Sequence, residues 1–165
     1  MISAIRPEKQ LQMELSIRPV VIPDDVRWLQ QWLGVDADCV IPFYESLQVA
    51  SFIQSMVVWE NDQPVLQADI CEAIFDDLGD AVAPGDYSLR LLLSPDAGHD
   101  TISQALHNCI AYVFSEKKAA RIVMPVHKSN TILIEWVKAA GFTLAMNILP
   151  KPGYILYWLT KPADC

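Results

Sequence analysis

The sequence contains little that indicates a membrane span, a secretion signal or a nucleic-acid partner. The sequence has 12 Lys and Arg and 20 Asp and Glu, which gives a formal net charge of −8. Binding to a phosphate backbone is driven by clustered basic residues, so this balance argues against nucleic acid as the main partner. No apolar run approaches the ~18–20 residues of a membrane span, and residues 1–12 are polar, without the apolar region of a signal peptide.

Cysteine and histidine are also sparse. The four cysteines are scattered with no C-x-x-C pair, which is typical of thiols in a reducing cytosol and not of a disulfide framework. The three histidines have no second ligand pair at short spacing, so no metal site is predicted. The six glycines and 11 prolines are spread along the chain, which excludes collagen-like and low-complexity sequence. We therefore expect a cytoplasmic protein without a bound metal.

The chain does have enough apolar residues for a substantial core. Hydrophobic residues make up 52% and charged residues 19% of 165 residues, which predicts one folded domain. We expect that domain to span 1–165, with 1–12 as a loose N-terminal segment. Residues 35–42 are expected to be a loop, and 74–84, with three aspartates, a solvated acidic loop.

Hydrophobic periodicity predicts seven strands and four helices in one mixed α/β architecture. The predicted strands are 13–20, 56–60, 65–73, 86–93, 121–126, 142–149 and 154–160. The predicted helices are 26–33, 42–54, one from about 100 to 114, and one that follows Ser129 as its N-cap and ends before Gly141.

This order of elements, with Asn130 opening a helix that ends at Gly141-Phe142, resembles the GNAT acyl-CoA N-acyltransferases over about 15–160. Within that superfamily the chain most resembles the acyltransferases of hydroxamate siderophore biosynthesis. The segments that carry the resemblance are Ile17-Arg18-Pro19, Tyr112-Val113-Phe114, Arg121-Ile122-Val123, Asn130, Gly141-Phe142 and Leu149-Pro150-Lys151. The resemblance implies a mostly antiparallel sheet of about seven strands, splayed near its middle, with four helices.

The resemblance also implies a co-substrate, acetyl-CoA or another acyl-CoA, bound where a strand leads through a turn into a helix. The free backbone amides and the dipole at that helix start suit a pyrophosphate, and the splayed strand end would pair with the pantetheine amides. The residues assigned to this role are Leu91, Leu92, Leu93, Gly98, His99, Asp100, Thr101 and Asn130. The turn is degenerate, because the family pattern Gln/Arg-x-x-Gly-x-Gly/Ala falls on Ala97, Asp100 and Ile102.

Aminolysis of a thioester needs a base for the attacking nitrogen and an acid for the departing thiolate. His127, at the end of a strand beside the expected cleft, is the candidate base because an imidazole can accept and release a proton, and Tyr154 or Tyr157 is the candidate acid. Arg90 and Asp86 are candidate substrate contacts. A semi-buried Arg90 needs a partner, and Asp69 or Glu72 across the sheet would supply one.

Two other interpretations stay open. The degenerate turn before the third helix, together with Arg90, favours a catalytically inactive GNAT-like domain that binds a ligand or a protein. A transferase for another amine, such as an aminoglycoside or a protein N-terminus, is equally compatible with an acidic chain. The favoured function is acylation of an amine or N-hydroxyamine of a lysine, ornithine or diamine derivative, and the resemblance leaves a homodimer open.

Overall fold

The computed structural model describes residues 14–147 and 149–162. The loose segment expected at 1–12, Met13 of the first predicted strand, and Cys165 lie outside these residues. Seven strands and four α-helices are present in the described ranges, as predicted. The strands are β1 Leu15–Pro19, β2 Ile53–Glu60, β3 Gln63–Glu72, β4 Asp86–Leu93, β5 Arg121–His127, β6 Thr143–Met146 and β7 Tyr154–Thr160. The helices are α1 Val26–Leu33, α2 Ala37–Gln48, α3 His99–Glu116 and α4 Thr131–Ala139.

The strands form one sheet in the order β1-β2-β3-β4-β5-β7-β6. Every neighbouring pair is antiparallel except β4 and β5, which run parallel. The parallel pair needs a crossover connection, and α3 supplies it. This confirms the mixed α/β architecture predicted from the sequence pattern and the mostly antiparallel sheet that the resemblance implies.

Helices cover both faces of the sheet. On one face the apolar side of α3 packs over β2, β3 and β5, and α4 adds Val137 to the same core. On the other face α1 and α2 cover the N-terminal strands, with Leu29, Val40 and Tyr44 packed against Val57 of β2. Farther along this second face, Ala73 and Leu78 pack on Val123 and Leu156 of β5 and β7.

The second helix begins earlier and ends earlier than predicted. Residues 37–42, expected as a loop, are the first half of α2, and Pro42 lies inside the helix. Val40 and Tyr44, one helical turn apart, are both buried, so tertiary packing outweighs the usual cost of an internal proline. The predicted continuation to residue 54 is wrong because Ile53 pairs with Cys71 as the first residue of β2.

Other differences are smaller. The strand predicted over 142–149 is only Thr143–Met146, and the N-cap of α4 is Asn130, not Ser129. Asp25 precedes α1, but its carboxylate does not cap that helix. It accepts two hydrogen bonds from Arg18 at 3.0 Å, one from the Val21 amide and one from Trp28 Nε1. Asp25 therefore ties β1 to α1.

No helix in the described ranges is long and apolar enough to span a membrane. Cys39, Cys71 and Cys109 are free thiols. Across residues 14–147 and 149–162, no group of three or more His, Cys, Asp or Glu side chains is gathered as a metal ion would require.

Candidate functional site

The parallel strands at the centre of the sheet separate soon after they meet. β4 and β5 pair only over Asp86–Ser88 and Arg121–Val123, and then diverge. A cavity of about 250 Å³ opens between them. Its lining residues are Leu89, Arg90, Leu91, Met124, Pro125, Val126, His127, Asn130, Leu133, Lys151 and Tyr154. The splay expected from the resemblance is therefore present.

The cavity has one apolar side and one polar side, because alternate residues of a strand face opposite sides of the sheet. Leu91, Met124 and Val126 belong to the core under α3 and α4. Arg90 faces the other side, where β7 adds Tyr154. A molecule that passes through the sheet here would meet apolar walls on one side and titratable groups on the other.

Asp76 organises the polar side, and its position corrects the expectation of a solvated acidic loop. Its side chain is 2% exposed. It accepts hydrogen bonds from Arg90 and from Ser88 Oγ at 2.8 Å, and Lys151 Nζ lies 3.6 Å from its Oδ1. The partner of Arg90 is thus Asp76, not Asp69 or Glu72 as predicted. A short 3-10 turn, Ala73–Phe75, immediately precedes Asp76 and places its carboxylate on the Arg90 side of the sheet.

Lys151 is a functional candidate that the sequence interpretation missed. Its side chain is 28% exposed and lines the cavity beside Arg90 and Tyr154. Burial lowers the pKa of Lys151 below its usual value, and the positive charge of Arg90 lowers it further. The segment Leu149-Pro150-Lys151 contributes to the resemblance, but no periodicity or motif points its lysine into a cavity.

His127, at the end of β5, lies in the cavity wall with its ring nearly perpendicular to Tyr154, the centroids 5.2 Å apart. The Ser129 amide donates to its Nδ1 at 3.2 Å, and Ser129 Oγ lies 2.7 Å from the same atom. With Nδ1 as acceptor, the neutral ring carries its proton on Nε2. The Nδ1 lone pair, which a base needs to accept a proton, is therefore occupied by the hydrogen bond from Ser129 in this conformation.

Gly153 lets this ring pack against the backbone. Its φ is +81°, a conformation that favours glycine, and a Cβ placed on it would lie 2.7 Å from His127 Nε2. The Gly153 carbonyl also accepts a hydrogen bond from the Lys128 amide at 2.9 Å. The Pro150–Gly153 turn before β7 therefore sets the position of the imidazole.

The two tyrosines proposed as acids lie on opposite faces of the sheet. Tyr154 lines the cavity next to Lys151, whose Nζ is 5.8 Å from its ring centroid. Tyr157 is 4% exposed in the core under α3 and does not line the cavity. Of the pair, only Tyr154 reaches the site.

The turn into α3 presents free backbone amides. Gly98 is the N-cap and carries no side chain to satisfy the first amides of His99, Asp100 and Thr101. The Asp100 side chain is 97% exposed, so solvent screens its charge. His99 stacks on Trp136 of α4, with ring centroids 4.5 Å apart. This contact joins the start of α3 to α4.

Asn130 and Leu91, two of the residues proposed to bind the co-substrate, line the gap. Asn130 lines the cavity, and its Oδ1 accepts from the Leu133 amide at 3.2 Å, which leaves its NH₂ group available. Leu91, Leu92 and Leu93 pair with β3 on one edge and have no β5 partner on the other. Leu91 lines the cavity, whereas Leu92 packs towards α1 and α2.

Asp86 lies away from the cavity, at the start of β4. Arg121 donates to both of its carboxylate oxygens, at 3.2 and 2.6 Å, and the Ala83 amide donates at 2.9 Å. These contacts make Asp86 part of the strand pairing. We do not include it among the proposed substrate contacts.

A second buried carboxylate lies behind Arg90. Asp69, 8% exposed, faces Arg90 across the β3–β4 pair. Ser55 Oγ donates to its Oδ1 at 2.7 Å and Gln67 Nε2 at 2.9 Å, and Gln67 in turn accepts from the Tyr44 hydroxyl. Burial raises the pKa of Asp69 above its usual range, although these two hydrogen bonds and Arg90 oppose the shift.

Several solved structures share this architecture. An uncharacterized protein from Bacillus halodurans is 21% identical, with a TM-score of 0.80 over 90% of this chain and 84% of that one. The N-acetyltransferase PseH of Campylobacter jejuni is 16% identical, with a TM-score of 0.68 over 90% and 99% of the chains, and has also been solved with acetyl coenzyme A.

The aminoglycoside acetyltransferase AAC(6')-Ib in complex with coenzyme A is 18% identical, with a TM-score of 0.75 over 90% of this chain and 95% of that one. A further structure of it holds coenzyme A and kanamycin. No protein-family profile and no curated protein sequence matches the chain. At these identities the likeness establishes the GNAT fold.

Proposed function

We propose that this protein is an acyl-CoA-dependent N-acyltransferase. The observation that carries the proposal is the gap between β4 and β5, apolar on one side of the sheet and lined by titratable groups on the other. The solved acetyltransferases of the same fold support it. The finer proposal takes the acceptor as an amine or N-hydroxyamine of a lysine, ornithine or diamine derivative.

The residues around the gap fit an acyl-CoA. The unpaired edge of β4 from Leu89 onward can hydrogen-bond pantetheine amides as an added strand would. The uncapped amides after Gly98 suit a pyrophosphate. The apolar residues Leu91, Met124 and Val126 would surround the acyl end of the arm, where it enters the sheet.

The reaction joins the acceptor nitrogen to the acyl carbon and breaks the carbon–sulfur bond, while one proton moves in net from nitrogen to sulfur. We assign Tyr154 as the proton donor to the thiolate and His127 as the acceptor of the amine proton. His127 must release the Ser129 amide to act, which costs one hydrogen bond, about 0.5–1.5 kcal/mol. This cost is small beside the ~10²–10⁴-fold acceleration that a positioned base supplies.

The test is thiol release from acetyl-CoA in the presence of a panel of amines and N-hydroxyamines. The proposal predicts release that depends on both an amine and the protein, with the acetylated amine found by mass spectrometry. Release without an acetylated product, or none with any amine, would contradict an N-acyltransferase. A Tyr157→Phe variant is the matched control for Tyr154→Phe, because Tyr157 is absent from the cavity lining.

A further inference from the structure

Among the described residues, the lining of the gap's polar side includes basic groups and no carboxylate. Of the described residues that line it, Arg90 and Lys151 are the charged ones, and His127 adds a third basic group. Asp76 lies behind them, 2% exposed, with one oxygen towards both cations and the other bonded to Ser88. The buried carboxylate fixes the two cations in place.

Both cations keep donors free for a ligand. Arg90 contacts Asp76 through one terminal nitrogen, and a guanidinium has five N–H groups. Its side chain is 47% exposed, so the remaining donors reach the open space. Lys151 lies 3.6 Å from Asp76, too far for a strong hydrogen bond, and its ammonium is only partly hydrated.

We infer that Arg90 and Lys151 bind a carboxylate of the acceptor, and that the acceptor is therefore a small amino acid or its N-hydroxylated derivative. This inference rests on the proposed function, because it identifies the acceptor of that reaction. An arginine fork matches the planar carboxylate in a bidentate geometry, and Lys151 adds a point charge. A polycationic acceptor such as kanamycin would place ammonium groups against these two cations.

The size and the polarity of the cavity agree with a small, bipolar acceptor. The cavity of about 250 Å³ is smaller than the ~300–1,000 Å³ of sites for drug-sized ligands, and in the proposed function it also takes the acyl end of the arm, which leaves room only for a small acceptor. With its carboxylate on Arg90 and Lys151, such a molecule would extend its amine towards His127 and Tyr154. Burial and the charge of Arg90 depress the pKa of Lys151 in the ligand-free site, and a bound anion would oppose that shift.

Matched acceptor pairs that differ by one carboxylate test the inference. L-Lysine is compared with cadaverine and L-ornithine with putrescine, together with their N-hydroxylated forms. Each is titrated calorimetrically into protein saturated with acetyl-CoA, and turnover is measured with the same set. The carboxylate-bearing member is expected to bind at least about tenfold tighter and to show the lower KM.

Lys151→Met should remove this preference, and Lys151→Arg should restore most of it. Lys138→Met, at an exposed lysine on α4 outside the cavity lining, is the control and should behave as the wild type. Equal binding within every pair would overturn the inference, and so would failure of all members to bind. An equal fall in kcat for both members of a pair in Lys151→Met would also overturn it, because Lys151 would then act on the thioester.

These outcomes separate the two claims. Protein that binds acetyl-CoA and acetylates amines without regard to their carboxylate keeps the proposed function and loses the acceptor assignment. Protein that binds no acetyl-CoA loses the proposed function. In that case titration of the same pairs without acetyl-CoA still decides whether Arg90 and Lys151 select a carboxylate.

Discussion

Asp76 holds the guanidinium of Arg90 at the mouth of the central gap, although the two residues lie on different elements. Breaking a fully buried ion pair by removing one partner costs about 3–5 kcal/mol. Arg90 is 47% exposed and stays partly hydrated, so we expect Asp76→Ala to cost about 1–3 kcal/mol in the free energy of unfolding.

Asp76→Asn keeps an oxygen that can accept from Ser88 or Arg90, and we expect it to cost less than Asp76→Ala. Denaturant unfolding of both variants measures the two differences. Wild-type stability in Asp76→Ala would mean that Asp76 does not organise the polar side of the gap.

His127→Ala is expected to lower kcat by ~10²-fold or more, because the acceptor amine would lose its base. Binding of acetyl-CoA should stay close to the wild type. His107→Ala is the matched control, since His107 is exposed on α3, outside the cavity lining, with its Nδ1 2.8 Å from the Ser103 carbonyl of its own helix. Turnover within a few-fold of the wild type in His127→Ala would show that another group takes the proton.

Tyr154→Phe removes the hydroxyl but keeps the ring that packs edge-on against His127. If Tyr154 protonates the leaving thiolate, kcat should fall by ~10²-fold while the Kd of acetyl-CoA is unchanged. The loss should shrink with acyl donors whose thiol leaves more readily. The same fall for good and poor leaving groups would argue against the acid role.

Gly153→Ala combines an unfavourable φ of +81° with a Cβ 2.7 Å from His127 Nε2. Alanine in such a conformation costs about 1 kcal/mol or more, and the His127 ring must also move. Denaturant unfolding measures the loss.

Gly98→Ala is the control, because a Cβ built on Gly98 has no atom within 4 Å and the φ of Gly98 is −73°. Its unfolding free energy should stay within about 0.5 kcal/mol of the wild type. Equal stability of the two variants would contradict the packing of His127 on Gly153.

Asp69→Asn tests the buried carboxylate behind Arg90. Burial raises the folded-state pKa of Asp69, so the folded state binds the proton more tightly than the unfolded state does. Ionisation of Asp69 therefore lowers the free energy of unfolding as the pH rises from 3.8, the pKa of Asp69 in the unfolded chain, through its higher pKa in the folded protein.

Asparagine keeps an oxygen for Ser55 and Gln67 without the charge. The stability of Asp69→Asn relative to the wild type should thus increase with pH across that window and level off above it. Unfolding curves between pH 3 and pH 7 give the difference. A relative stability that falls with rising pH would reverse the assigned direction of the shift.

The fold was largely predictable because its signals are local. The alternation of Leu15 and Ile17, which are partly buried against the core, and the buried apolar side of α3 from Ile102 to Phe114 are each recognisable within a few residues. The exceptions arise where tertiary packing outweighs a local preference. Pro42 inside α2 is one, because the burial of Val40 and Tyr44 compensates for its missing amide.

The site was less predictable because its contacts join distant parts of the chain. Arg90 and the gap were identifiable from an arginine in an apolar strand and from the resemblance. The partners Asp76 and Lys151 were not, because nothing in their own segments indicates that both approach Arg90. Likewise, the hydrogen bond that holds the His127 lone pair depends on the turn geometry at Ser129.

The most direct test of the account is calorimetric titration of acetyl-CoA into the protein. If pantetheine enters the gap and the free amides after Gly98 bind the pyrophosphate, acetyl-CoA should bind saturably and one to one. Its Kd should be far below 1 mM. Binding weaker than roughly millimolar, about 4 kcal/mol of free energy, would contradict the transferase assignment and leave only the architecture.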